Sequence, residues 1–344
     1  MRYLSFDEVK STLGRALGAA GFDPQRAERL ADVFARNTLE GVASHGVNRF
    51  PRFLADLERG VIDRDARPET VAALGGMEVW DGHFGPGPLI AEAAMDRAIA
   101  LCHTHGIACV AVRNANHWLR PGRYGWQAAE AGVAALLFTN TSPNMPAWGA
   151  QDARLGNNPL VLAIPREKGP VVVDLAMSQF AYGKLELASL AGEPLPIPGG
   201  YDRAGALTTD PGEILATQRI LPAGYWKGSA LSIGLDLMAA ALSMGRTVSA
   251  IGTDPLPERG LSQVFVAMDF RALLPAGEVD RLLDAAIDDL LASTPVEGGA
   301  PIHYPGQKRE KTIRRNLAQG LPVNEQTWDK ILGWLDQHTQ EGAE

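Results

Sequence analysis

Apolar and polar residues alternate with a helical period over the first sixty positions. Ser5 and Glu8 form a capping box, and the apolar residues behind them recur on one side, which predicts a first helix. Asp23 is an N-cap residue followed by proline, so a second helix is predicted from there to about Thr38. A short third helix is predicted over 52–59. This region is therefore expected to be helical.

The centre of the chain carries both helical and strand-like patterns. Helices are predicted over 89–105 and 126–131, and the first of them ends at Gly106. Short apolar runs predict four strands, over 107–112, 133–139, 159–164 and 171–175. Because helices and strands alternate, an α/β class is expected. The stretch 190–225 is rich in glycine and proline and is expected to form a long irregular segment.

The last third of the chain continues this mixture. Its predicted elements are a helix over 229–243, a strand over 263–270, a helix over 279–291, a basic helix over 308–315 and a final helix from Asn324. No internal repeat or low-complexity linker divides the chain, so domain boundaries are soft. We expect a helical region of residues 1–75 packed with 300–344, a central α/β region of 76–225, and a helix–strand–helix region of 226–299 interleaved with it.

Charge and composition exclude several classes of protein. The chain has 344 residues, enough for two or three lobes. Its 32 Lys and Arg against 40 Asp and Glu give a formal net charge of −8, which argues against a nucleic-acid partner. No apolar run is long enough to span a bilayer and no signal peptide is recognised, so no membrane partner is expected. Two cysteines cannot form a disulfide framework, and a cytoplasmic location is expected.

The stretch ASHGVNRFPRF at 43–53 carries the strongest candidate chemistry. His45 stands between Ser44 and Gly46, and its imidazole can give or take a proton near neutral pH. Arg49 or Arg52 can bind a carboxylate through two parallel N–H groups. A proton donor beside a carboxylate anchor suits a 2-oxo or 2-hydroxy acid. The alternative is a surface histidine at a helix break with arginines capping carbonyls, and the residues alone leave both interpretations open.

A second candidate is RNANHW at 113–118, directly after a predicted strand, where α/β sheets place their sites. Asn116 is a candidate for hydrogen bonding to a substrate, and His117 for an acid or base. The alternative is that the asparagines tie a turn and His117 packs on Trp118. Asp174, at the end of another predicted strand, is a candidate for contacting a ribose hydroxyl or for capping a turn.

A third candidate precedes the long apolar helix, in GYWKGS at 224–229. We expect Gly228 and Ser229 to leave the first helical N–H groups free, and Lys227 adds a positive charge, as a phosphate site requires. Trp226 is a candidate for covering a nucleotide ring. The alternative is a serine N-cap with a packed tryptophan. The glycine-rich fingerprints of the Rossmann fold and the P-loop do not occur, so any nucleotide binds without them.

The sequence around Cys102 and Cys109 does not make a convincing metal site. His103 and His105 are two residues apart, so on a helix they point in different directions. Histidines are favoured at a helix C-terminus by the helix dipole, which explains them without a metal. No metal is therefore expected. The basic stretch 308–315 is expected to be a solvated face whose first residues lie near a cofactor phosphate.

Taken together, the motifs resemble those of the malate/L-lactate dehydrogenase family that lacks a Rossmann fold, over nearly the whole chain. The segments that carry the resemblance are SHGVNRFPRF (44–53), RNANHW (113–118), YGWQAAE (124–130), MPAWGA (145–150), GNNPL (156–160) and ILPAGYWKGS (220–229). The resemblance is strongest to a branch that reduces a diketo sugar acid. It implies an interleaved α/β fold with a mixed sheet that is not doubly wound.

The resemblance also implies a mechanism and a set of residues. Hydride would pass between NADH, with NADPH as the alternative, and a 2-oxo acid in a homodimer whose site lies near the subunit interface. It assigns the proton donor to His45, or to His117 as in other members of the family, with Asn116 beside them. Arg49, Arg52 and Ser44 would contact the substrate. The implied cofactor contacts are Thr141, Val172, Val173, Asp174, Leu175, Ala176, Trp226, Lys227, Gly306, Gln307 and Lys308.

Other activities stay open at this point. Within the family, dehydrogenation of malate, L-lactate, ureidoglycolate or sulfolactate and reduction of a cyclic imino acid are alternatives. The loop 166–170 is one residue longer than the family pattern and 119–122 departs from it, so the choice between NADH and NADPH is left open. Outside the family, the alternatives are a histidine-rich metal hydrolase and a binding module without turnover.

Overall fold

The computed structural model describes residues 1–275 and 277–340. The helices are α1 (Phe6–Ala19), α2 (Pro24–Leu39), α3 (Phe50–Glu58), α4 (Gly87–His105), α5 (Gly122–Glu130), α6 (Tyr182–Ala191), α7 (Pro211–Thr217), α8 (Trp226–Ser243), α9 (Val248–Ile251), α10 (Glu278–Leu291), α11 (Arg309–Gln319) and α12 (Glu325–Gln340). The strands are β1 (Arg2–Leu4), β2 (Glu69–Leu74), β3 (Met77–Asp81), β4 (Ile107–Asn116), β5 (Ala134–Thr139), β6 (Met145–Pro146), β7 (Ala153–Leu155), β8 (Leu160–Ile164), β9 (Val171–Leu175), β10 (Gly200–Tyr201), β11 (Leu207–Thr208), β12 (Arg259–Met268) and β13 (Leu321–Val323).

A mixed sheet of seven strands organises the molecule, in the order β2-β3-β4-β12-β5-β8-β9. Only β3 and β4 run parallel, while the other neighbours are antiparallel. This confirms the expected α/β class with a mixed sheet. The central strand is β12, where Val264 and Phe265 are fully buried. One face of the sheet is covered by α4 and α5, and the other by α8.

The N-terminal helices share their core with the C-terminus of the chain. Leu13 and Phe34 on α1 and α2 are fully buried in one cluster with Trp328 and Ile331 of α12. Strand β1 pairs with β13, with Tyr3 opposite Pro322. Burying these apolar side chains holds the two ends of the chain together. The division into three regions stays a prediction.

Predicted helix starts are confirmed in atomic detail. The Ser5 hydroxyl accepts from the Glu8 amide at 3.1 Å, and Asp23 caps α2 through the Arg26 amide at 3.0 Å. Asn324 accepts from the Thr327 amide at 3.0 Å at the start of the last helix. Each cap satisfies a backbone N–H that the first helical turn leaves free.

Several predictions about local structure were wrong. The helix predicted over 126–131 begins at Gly122, and the strand predicted over 263–270 spans Arg259–Met268. The strand predicted over 107–112 continues to Asn116, because β12 pairs with it across two irregularities in register. The segment 190–225 is not irregular throughout, since it contains α7 and the pair β10–β11. The long helix begins at Trp226, three residues before the predicted start at Ser229. Among residues 1–275 and 277–340, no helix combines the length and the apolarity that crossing a membrane would require.

Candidate active site

The break between α2 and α3 places His45 on a rigid support. The next residue, Gly46, packs so tightly against α2 that a Cβ atom added to it would lie 2.1 Å from the Thr38 hydroxyl oxygen. The same hydroxyl accepts from the Val47 amide at 2.9 Å, and the Asn37 amide nitrogen donates to the His45 carbonyl at 2.9 Å. Only glycine fits this approach, so the motif fixes the position of the imidazole through packing against α2.

The structure brings His45 and His117 together. Their rings are stacked with centroids 5.8 Å apart and planes 11° from parallel. His117 Nδ1 accepts from the Leu119 amide at 3.0 Å, so in its neutral form this ring carries its proton on Nε2. Leu119 adopts a positive φ of 66°, a strained backbone that folds its amide back toward the ring. The Ser44 hydroxyl lies 3.1 Å from His45 Nδ1.

Burial and positive charge act on both imidazoles. Burial, followed by the charges of Arg49 and Arg120, lowers the pKa of His45 to about 4. Burial, Arg49 and the neighbouring His45 hold the pKa of His117 well below its ordinary value. Since each ring disfavours protonation of the other, the pair holds at most one proton readily. An incoming anion would offset the arginine charges and favour that proton.

Two arginines of the same motif meet one carboxylate. Glu258 Oε2 accepts from Arg49 Nη2 at 2.7 Å and from Arg52 Nη2 at 2.9 Å. Glu258 has a positive φ of 55° directly before β12, which costs backbone energy and turns the chain toward these arginines. Arg49 is the less exposed of the two arginines, at 22% against 43% of its side chain. A guanidinium has five N–H groups, so Arg49 keeps donors for a substrate carboxylate.

The side-chain amide of Asn116 is fixed by hydrogen bonds that use its nitrogen and leave its oxygen available. Its amide nitrogen donates to the carbonyls of Val61, Phe84 and Gly85 at 3.1, 2.6 and 3.1 Å. Its Oδ1 is buried and has no hydrogen-bond partner among the residues that the structure describes. Asn116 can therefore accept a hydrogen bond from a ligand but has no donor left to polarise a carbonyl oxygen. The residue also holds the loop around Phe84 against β4.

Most of these groups line one pocket, and His45 stacks on the His117 ring in its wall. His117, Asn116, Arg49 and Glu258 line it together with Asp56, and the apolar part of the wall consists of Phe53, Val61, Ile62 and Leu119. A second cavity of about 180 Å³ lies beside it, lined by Glu40, Arg120, Trp126, Val172, Asp174, Gly306, Lys308, Arg309 and Thr312. The two cavities adjoin at consecutive residues, because Leu119 lines the first and Arg120 lines the second.

The second cavity gathers two of the predicted cofactor segments. The Val172 amide donates to the Pro305 carbonyl at 3.2 Å, which sets β9 beside Gly306 and Lys308. Asp174 Oδ2 accepts from the Gly122 amide at 2.8 Å at the start of α5. Lys308 has no ion pair within the described part of the chain. Gln307 is turned back to its own loop, where its side-chain oxygen accepts from the Tyr304 amide at 3.2 Å.

The start of α8 meets the other end of β9. The Ala223 amide donates to the Met177 carbonyl at 2.9 Å, two residues beyond the end of the strand. Val173, Leu175 and Ala176 thus connect the second cavity with Trp226 and Lys227, which are both exposed. The prediction that the first N–H groups of this helix are free to bind an anion was wrong. The N–H groups of Gly228 and Ser229 are not free, since they donate to the carbonyls of Ala223 and Tyr225.

Two other predicted features lie elsewhere. Thr141 is buried and its hydroxyl donates to Asn157 Oδ1 at 3.2 Å, behind the end of β9 rather than in either cavity. His103 pairs with Asp269 at 3.0 Å and is not part of the stacked pair formed by His45 and His117. Across 1–275 and 277–340, no three His, Cys, Asp or Glu side chains are grouped as metal ligands.

Several residues of the site gave no signal in the sequence. Asp56 stands four residues after Arg52 and looks like an ordinary helix-surface pair. Glu258 reaches Arg49 from 209 positions along the chain. Arg309 stacks over Trp126 at 4.2 Å and pairs with Glu40 at 2.7 Å, within a stretch that reads as a basic surface. Only their approach in three dimensions reveals them.

Comparison with known proteins places this geometry in context. A family profile described as malate/L-lactate dehydrogenase matches residues 4–332. The 2,3-diketo-L-gulonate reductase of Shigella boydii serotype 4 (strain Sb227) is 44% identical over 329 residues, which cover 95% of this chain and 98% of the relative. Two solved structures share the fold at 27% identity. They are sulfolactate dehydrogenase from Methanocaldococcus jannaschii (TM-score 0.90, 98% of both chains) and delta1-piperideine-2-carboxylate reductase from Pseudomonas syringae pvar. tomato (TM-score 0.84, 97% of this chain and 100% of the other).

Proposed function

Because this chain belongs to the malate/L-lactate dehydrogenase family and is an oxidoreductase, we propose that it reduces a 2-oxo acid with a nicotinamide cofactor. The substrate we propose is 2,3-diketo-L-gulonate, since a reductase of that name is 44% identical over 98% of its own length. The observation that carries the proposal is that His117 lines one pocket with Arg49 and stacks on His45, next to a second cavity. Proton donor, carboxylate anchor and room for a cofactor are then adjacent.

The substrate would be held by its carboxylate and protonated at its ketone. Arg49 binds the carboxylate with the donors that Glu258 leaves free, while Arg52 and Ser44 lie at the edge of the same site. Reduced nicotinamide, when bound, supplies the hydride. His45 gives the proton to the oxygen of the former ketone from Nε2, and His117 Nε2–H donates a hydrogen bond to that oxygen. Asn116 Oδ1 accepts from a neighbouring hydroxyl of the substrate.

The residues around the second cavity fit a dinucleotide. Asp174 offers a carboxylate oxygen to ribose hydroxyls, and Lys308 offers a positive charge that forms no ion pair among the described residues. Gly306 has a positive φ of 96° against Trp126, which brings backbone close to the cavity. Trp226 and Lys227 would extend this site past the end of β9. We propose NADH as the cofactor, because an acid at a ribose favours hydroxyls over a phosphate.

The proposal is tested by ligand binding followed by turnover. Thermal shift with NADH, NADPH, NAD and NADP should single out NADH, because a ligand that binds only the folded state raises the melting temperature. Turnover is then measured as loss of NADH absorbance with 2,3-diketo-L-gulonate, pyruvate, oxaloacetate, sulfopyruvate and a cyclic imino acid. We expect the diketo sugar acid to have the highest kcat/KM. If the protein reduces none of these compounds, the proposed function is contradicted.

The protein should show a distinct pH dependence. The pKa of His45 in the enzyme before substrate binds is about 4, so the protonated fraction falls tenfold for each pH unit above that value. Because reduction needs the protonated ring, kcat/KM for the 2-oxo acid should fall by up to tenfold per unit from about pH 5 to 8. Oxidation of the hydroxy acid needs the neutral ring and should stay level over that interval. Initial rates in both directions measure this, and parallel profiles would contradict it.

We further propose a homodimer that uses the exposed side of α8. Four large apolar side chains of this helix, Leu231, Ile233, Leu237 and Met238, are 43–57% exposed. Apolar patches of this kind commonly mark subunit interfaces. The helix begins with Trp226 and Lys227, so such an interface would lie near the cofactor site.

Both cysteines are free thiols, which suits a cytoplasmic location.

Replacing one of these leucines should separate the subunits. Leu237→Asp is expected to convert a dimer into a monomer at micromolar concentration, because a buried unpaired charge opposes association. Size-exclusion chromatography with light scattering measures the mass. Leu282→Asp is the matched control, since Leu282 is 69% exposed on α10 and away from α8. A monomeric wild type, or a variant that still dimerises, would argue against this interface.

A further inference from the structure

Two acidic side chains in the wall of the substrate pocket make no contact with the substrate in the mechanism above. Asp56 and Glu258 both line the pocket that holds Arg49, Asn116 and His117. The side chains of Asp56 and Glu258 are only 14% and 25% exposed, so their charges are incompletely screened by solvent. A pocket built only to attract anions would not need carboxylates in its wall.

Three arginines and these two acidic residues form a cluster whose formal charges sum to +1. Glu258 pairs with Arg49 and Arg52, and Asp56 pairs with Arg59 and lies 3.9 Å from Arg52. Three guanidinium groups therefore face two carboxylates. One substrate carboxylate neutralises the remainder, whereas a second acid group would enter a pocket that already holds two negative charges.

The charges beyond the cluster do not alter this balance. Glu186, whose charge acts on Arg49, is exposed on α6, where solvent screens it. Arg120 pairs with Glu40, which it shares with Arg309, and it lines the second cavity rather than the substrate pocket. Much of the remaining wall is apolar, formed by Phe53, Val61, Ile62 and Leu119, and an apolar wall disfavours an unpaired ion.

We propose that Asp56 and Glu258 are specificity-determining residues that restrict the substrate to 2-oxo acids with a single negative charge. This inference rests on the proposed function. The chain beyond the ketone is then uncharged, and its hydroxyls can donate to Asp56, Glu258 and Asn116 Oδ1. A diketo sugar acid meets this requirement. Malate and sulfolactate each carry two acid groups and do not.

The test compares two substrates that differ only in charge, oxaloacetate and its 4-amide, 2-oxosuccinamate. For the wild type we expect kcat/KM to be at least about tenfold higher with the amide. Asp56→Asn and Glu258→Gln should each lower the ratio of amide to acid about tenfold, the effect of one charge at 6–8 Å in a partly screened site. This ratio is insensitive to any loss that both substrates share, including a loosened Arg49.

Glu58→Gln is the matched control for removing a charge from α3. Glu58 accepts from the Trp334 indole at 2.6 Å and does not line the pocket, so the ratio should stay as in the wild type. If Asp56→Asn does not fold, Glu258→Gln and the wild-type ratio decide the matter. A wild type that reduces both compounds equally, or prefers oxaloacetate, overturns the inference and leaves the proposed function standing. A wild type that reduces no 2-oxo acid, the diketo sugar acid included, fails the proposed function instead.

Discussion

His45→Ala is expected to lower kcat for 2-oxo acid reduction by about 10²–10⁴-fold, the usual contribution of a positioned general acid. The ring is held by Gly46 packed on Thr38 and by the Ser44 hydroxyl 3.1 Å from Nδ1, so its removal takes away an oriented group. The dissociation constant of NADH should stay nearly unchanged, since His45 does not line the second cavity. Single-turnover measurements with saturating NADH separate the chemical step from product release.

His117→Ala serves as the matched comparison, because it removes the stacked partner 5.8 Å away. We expect a smaller loss of kcat, since His117 would orient the oxygen while His45 supplies the proton. Loss of the pH dependence described above should accompany His45→Ala only. If His45→Ala keeps nearly full turnover while His117→Ala does not, the roles of the two histidines are reversed.

The parts of the site that could be predicted from the sequence are those set by local chemistry. The capped helices α1, α2 and α12 follow from side chains within one turn, and strands β8 and β9 follow from short apolar runs. His45 and Arg49 stand in a single motif around Gly46, so their common origin is visible along the chain. Local signals of this kind do not depend on the remainder of the fold.

The parts that could not be predicted depend on distant contacts. Strand β4 extends through Asn116 because β12 continues to pair with it, with Arg259 opposite Asn116. The edge strand β2 was missed because all its residues are exposed, which removes the alternation that identifies a strand. The donors of Asn116 are used by three carbonyls from another loop, so its capacity to bind a ligand is visible only in the fold.

Arg49→Lys is expected to raise KM for the 2-oxo acid by roughly 10–100-fold, the loss that follows when a charge-assisted hydrogen bond to a carboxylate is removed. Lysine keeps the positive charge but has a single ammonium, which cannot serve Glu258 and the substrate with separate edges. Because Arg49 is needed in both the ground state and the transition state, kcat should fall less than KM rises. Steady-state kinetics at saturating NADH measure both quantities.

Arg52→Lys is the internal control for this substitution. Arg52 pairs with the same Glu258 oxygen at 2.9 Å, but about twice as much of its side chain is exposed, 43% against 22% for Arg49. Both variants disturb the contact with Glu258, so a difference in KM between them reports the substrate rather than that ion pair. We expect Arg52→Lys to change KM less than fivefold, in line with a solvent-screened pair. If Arg52→Lys raises KM as much as Arg49→Lys or more, Arg52 binds the substrate carboxylate. The guanidinium that contacts the substrate directly must show the larger loss of affinity when an ammonium replaces it.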